Sequence, residues 1–122
     1  MAGTREKVLD FALSLPETRE ERPWEDDVVV KVRGKIFVFC GPAGSKRISV
    51  KLDESHEHAL SIENAAPTGY GLGRAGWVTV PIRADGVSVA LLREWVEESY
   101  RIVAPKRLLA ELDGAAKDLV SN

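Results

Sequence analysis

Gly71-Leu72-Gly73-Arg74-Ala75-Gly76 matches G-x-G-x-x-G letter for letter. Pyrophosphate binding needs that motif to follow a strand and open a helix, so that the helix N-terminus meets the anion. Here the motif is followed by Trp77-Val78-Thr79-Val80, which alternates and is rich in strand formers. The context is wrong for a dinucleotide, and the glycines read as a loop that needs positive φ. Its amides and Arg74 still have the means to hold a phosphate. His56 and His58 lie two apart, point to different sides of a helix and are badly placed to share a metal. Cys40 is the only cysteine and has no base beside it, so it reads as a small apolar residue rather than a nucleophile. The acids Glu17, Glu20, Glu21, Glu25, Asp26 and Asp27 lack the regular spacing of a cation-binding loop and read as a solvated charge run. Paired carboxylates, a Ser-His-Asp order and a nucleophile elbow are all missing. The expectation is a protein without catalytic residues, metal or cofactor.

The basic residues are more informative. Lys31, Arg33, Lys35, Lys46, Arg47 and Lys51 fall between Val28 and Leu52 with no acid among them, and Arg74 and Arg83 fall between Asn64 and Ala84 in the same way. These two stretches carry +8 within a chain of net charge −2, so the remainder, which reads mostly as helix, carries −10. That sorting predicts a basic sheet set against acidic helices, able to steer a polyanion to one face. One reading of the cations is solubility and edge protection. The other is phosphate contact by Lys31, Arg33, Lys35, Lys46, Arg47, Lys51 and Arg74, with hairpin tips at Gly34 and Gly44 reaching along the grooves of DNA. Trp24 and Trp77 read as stacking residues or as core.

The elements that must position these residues follow from periodicity. Thr4 is a cap before Val8, Phe11, Ala12 and Leu15, an amphipathic helix that Pro16 ends. Pro16 to Asp27 reads as a polar connector. Val28 to Val32, Lys35 to Cys40 and Ile48 to Leu52 alternate as three strands, joined by turns at Gly34 and at Gly41 to Ser45. A short helix from Asp53 to about Glu63, the glycine-rich loop and a strand from Trp77 to Ile82 come next. Ser88 caps a long helix, and Pro105 starts another that Gly114 stops. The order describes an α+β fold. The 122 residues suffice for a single domain spanning 1–122, with 118–122 as a frayed tail.

A two-residue turn would place Val28, Val30 and Val32 on one face with Phe37 and Phe39, leaving Val29, Lys31, Arg33, Ile36, Val38 and Cys40 on the other. This second face is half apolar. An alternative to DNA is therefore a small-molecule or protein site in a groove of Val29, Ile36, Val38, Tyr70 and Trp77, with Arg74 anchoring an anion. A homodimer interface would hide the same face, so the expected state is monomer or homodimer. The N-terminus lacks a secretory pattern, no apolar run is long enough to span a bilayer, and the lone cysteine suits a reducing compartment. The expected location is cytoplasmic, with no membrane partner.

Leu15-Pro16-Glu17, Lys31-Val32-Arg33-Gly34-Lys35-Ile36-Phe37, Pro67-Thr68-Gly69-Tyr70 before Trp77-Val78-Thr79-Val80, and Glu98-Ser99-Tyr100-Arg101-Ile102-Val103 occur in this order. Together they resemble the MmcQ/YjbR family over about residues 5 to 112. The resemblance implies a CyaY/frataxin-like fold, an antiparallel sheet with the N- and C-terminal helices packed on one face. It also implies a double-wing DNA-binding motif and no catalytic residues. Frataxin-like proteins suggest iron at the acidic connector by fold analogy alone. Where relatives carry a polar, often Asn- and Lys-containing segment between Tyr70 and Trp77, this chain has Arg74 as the one basic residue.

Overall fold

A computed structural model describes residues 3–24 and 26–121, with side chains through Gly114. The elements are α1 (Thr4–Ser14), β1 (Thr18–Trp24), β2 (Asp27–Val32), β3 (Lys35–Gly41), β4 (Arg47–Lys51), α2 (His56–Ser61), β5 (Ala66–Pro67), β6 (Trp77–Pro81), α3 (Val89–Val103) and α4 (Lys106–Ser121). All strand pairs are antiparallel, in one six-stranded sheet of order β1-β2-β3-β4-β6-β5. The fold is α+β, with α1 and α3 packed on the same side of the sheet.

The segment expected to be a polar connector is strand β1, paired with β2 from Thr18 opposite Val32 to Trp24 opposite Asp27. It is the sheet edge and mostly exposed, so no apolar alternation marks it. The β2–β3 turn does use two residues, Arg33 at φ 51° and Gly34 at φ 79°. Both are left-handed, as a type I′ turn requires. Beyond it the register shifts twice: Val30 faces Val38 while Lys31 faces Ile36, and Val28 faces Gly41 while Val29 faces Phe39. Phe37 and Cys40 are thus the extra residues of two bulges.

These bulges change which side chains share a face. Val38 lies opposite Val50 and Val50 opposite Val78, all fully buried beneath the helices. Val38 and Cys40 therefore join Val28, Val30 and Val32 in the core, while Phe39 turns to the other face. That corrects the face expected for all three. All four helices feed this core, through residues such as Val8, Ala59, Trp95 and Leu108. Phe37 meets Tyr100 of α3 edge-on, with ring centroids 5.3 Å apart.

Ser88 caps α3 as expected, accepting from the Leu91 amide at 3.1 Å. Gly3 rather than Thr4 precedes α1. Helix α2 starts at His56, beyond Asp53, and Gly114 lies inside α4 rather than ending it. A glycine inside a helix costs only about 1 kcal/mol. Of the tail expected over 118–122, the backbone to Ser121 belongs to α4, and Asn122 lies outside the described residues.

Candidate functional site

The face opposite the helices carries the candidate site. Phe39 faces Ser49, Ser49 faces Thr79, and Lys51 faces Trp77 in the ladder, so all five point away from the core. Phe39 and Trp77 meet edge-on at 5.1 Å. Three hydroxyls form a chain across this face, with Thr79 Oγ1 at 2.7 Å from Ser49 Oγ and 3.0 Å from Thr68 Oγ1.

The predicted phosphate contacts are only partly brought together. Arg47, Ser49 and Lys51 alternate with buried Ile48 and Val50 along β4, so both cations project on the uncovered side. Arg74 belongs to a 3-10 turn over Leu72–Ala75, and Arg74 and Lys51 line one depression. Asp53, Glu54 and Glu57 form another part of its wall. Lys46 instead lines a separate depression with Arg5 and Arg83, beside the start of α1. Arg33 donates to Glu17 through Nε at 2.8 Å and Nη2 at 3.2 Å. Lys31 pairs with Glu21 at 3.1 Å, and this bond, with one from Arg19, lowers the Glu21 pKa. Lys35 is exposed where β3 starts. Among the described residues, no carboxylate lies within 4.0 Å of Lys35, Lys46, Arg47, Lys51 or Arg74.

The charge sorting is correspondingly different from expectation. Of the acids expected in a connector, Glu20 and Glu21 lie in β1, Asp27 opens β2 and Glu17 directly precedes β1, so part of the negative charge sits at the sheet edge rather than on helices. Within β1 the two acids are matched by Arg19 and Arg22, which pair with Glu21 and Glu20, whereas among the described residues Arg47 and Lys51 on β4 and Arg74 in its turn have no carboxylate within 4.0 Å. Glu25 itself lies outside the described residues.

Of the groove expected from Val29, Ile36, Val38, Tyr70 and Trp77, Val38 is in the core. Val29 and Ile36 take the uncovered face by register, opposite Phe39 and Lys31. Trp77 is nearly buried behind Phe39. Tyr70 alone of the five lines the groove that is present, a space of about 630 Å³ whose walls include Trp24, Asp27, Phe39, Ser49, Thr68 and Leu72. Trp24 and Asp27 meet there because they are partners across the β1–β2 ladder. Trp24 is the one large apolar residue within that charged run.

The G-x-G-x-x-G segment has a structural purpose. Gly76 has φ +99°, and a Cβ there would lie 2.8 Å from the Leu52 carbonyl oxygen. The Leu52 amide donates to Gly76 O at 3.0 Å, so the turn is pinned to the end of β4. Cys40 is fully buried, and burial pushes its pKa up to about 11. Among the described residues, no group of three or more His, Cys, Asp or Glu could hold a metal ion, and no helix is long and apolar enough to cross a membrane.

An antiparallel sheet with helices on one face and a mixed aromatic and cationic surface on the other defines an α+β protein whose uncovered face is its candidate site. The YjbR family model matches residues 13–102, and the chain belongs to that family. No curated protein sequence matches the chain.

Proposed function

We propose that this YjbR protein is a non-enzymatic DNA-binding protein that lays a phosphate backbone along Arg47, Lys51 and Arg74. The observation that carries this reading is the β4 row: two cations on the uncovered face, free of carboxylate partners among the described residues, with Arg74 beside the second. Four residues of strand separate Arg47 from Lys51, about 13 Å, or about four base-pair steps of duplex. Glu21 of β1 and Glu17 just before it already pair with Lys31 and Arg33, so these two leave the contact set. Phosphate contacts alone confer little sequence preference.

Anisotropy titration of a labelled duplex across a salt series tests this. Three phosphate contacts give a slope of log affinity against log salt of about −2.7. Arg47→Ala, Lys51→Ala and Arg74→Ala should each reduce that slope by about 1, and Arg33→Ala should leave it unchanged. Lack of binding at low salt, or a slope indifferent to all three substitutions on the row, refutes the reading.

A further inference from the structure

Three aromatic side chains from separate parts of the chain line the groove on the uncovered face: Trp24 at the end of β1, Phe39 in β3 and Tyr70 in the loop after β5. Trp24 is 58% exposed and Tyr70 fully exposed. The Tyr70 ring is held out by backbone that L residues disfavour, with φ 59° at Tyr70 and 79° at Gly71. Neither ring packs into the core, so their contact area remains free for a ligand. Among the described residues, Asp27 is the one charged residue of the lining. Among the described residues no Lys, Arg or His nitrogen lies within 4.0 Å of its carboxylate. Of the lining hydroxyls, those of Ser49 and Thr68 are both bonded to Thr79. Among the described residues the groove therefore presents π faces, oxygen atoms and one negative charge, with no lining cation to receive an anion.

We infer that this groove is a binding site for an organic cation, an alkylated ammonium head group held against Trp24, Phe39 and Tyr70 and neutralised by Asp27. Aromatic faces attract such a cation through their quadrupoles, and an alkylated ammonium sheds its water more easily than a primary one. The groove volume is in the range of small-ligand sites. The inference does not rest on DNA binding: none of Arg47, Lys51 and Arg74, the contacts proposed for it, lines this groove.

The test is an NMR titration of the Trp24 indole N–H, assigned by its loss in Trp24→Phe. The probes are tetramethylammonium, choline and the neutral carbon isostere of choline. The two cations should shift this signal saturably, and the neutral isostere should bind more weakly. Asp27→Asn and Tyr70→Ala should each weaken choline binding by about two- to fivefold, with Lys51→Ala without effect. Equal affinity for the neutral isostere, no saturable shift with either cation, or choline binding unchanged by Asp27→Asn overturns the inference.

Discussion

Ser99 joins two strands where their ladder has ended. Strands β3 and β4 pair at Val38 with Val50 and at Phe39 with Ser49. One step further, the Phe37 carbonyl accepts from Ser99 Oγ and the Lys51 amide donates to the same oxygen at 2.9 Å. A hydroxyl from α3 thus fills the gap left by the Phe37 bulge. Ser99→Ala leaves both buried groups unpaired and should lower stability by about 1–3 kcal/mol, seen as a lower urea midpoint at unchanged slope. Arg5 performs a similar service at the second bulge. Its buried guanidinium donates to Cys40 O at 3.1 Å and to Gly41 O at 2.7 Å. No local pattern in the sequence marks Ser99 or Arg5, because each answers a carbonyl more than thirty residues away.

At the scale of elements, helix α2 is capped from another helix. Ser55 makes no side-chain cap. The Glu98 carboxylate of α3 accepts instead from the Asp53 amide at 2.8 Å, the Ser55 amide at 3.1 Å and Ser55 Oγ at 2.7 Å. A helix of six residues cannot hold itself in water, so this carboxylate and the burial of Ala59 keep it formed. Glu98→Ala should speed amide exchange across residues 53–61 while leaving α3 protected. Equal protection in the variant would place the support elsewhere. Strand β1 shows the opposite dependence on neighbours: from Thr18 to Arg22 its side chains are all polar, and pairing with β2 makes it a strand. The elements legible from periodicity were those with an apolar stripe, namely α1, β2 to β4, β6, α3 and the first turns of α4. Strand β1 carries no such stripe, and two-residue β5 is too short to show one.

For the whole molecule, buried titratable groups set the alkaline limit of stability. Burial raises the pKa of Cys40 from about 9 to about 11 and also raises that of Tyr100, whose hydroxyl donates to Pro16 O at 2.8 Å. Above pH 9 the unfolded chain gives up the Cys40 proton and the folded chain keeps it, so unfolding becomes more favourable as pH rises. Stability should fall by on the order of 2 kcal/mol between pH 9 and 11, and Cys40→Ala should flatten that decline in urea melts. Iodoacetamide should label Cys40 rapidly only after denaturation.

Legible in the chain alone were the α+β class, the family, a two-residue turn at Gly34 and the cap at Ser88. These depend on residues close together in the chain, where spacing and residue type carry the physics. Tertiary structure decided which face each residue of β3 takes, because a bulge inserts one residue and reverses the alternation beyond it. It also decided the charge pattern. Whether Lys31 and Arg33 stand free or meet Glu21 and Glu17 depends on β1 folding back beside β2. The aromatic groove arises from the same cause, since Trp24, Phe39 and Tyr70 come from three separate segments that only the packed chain brings to one place.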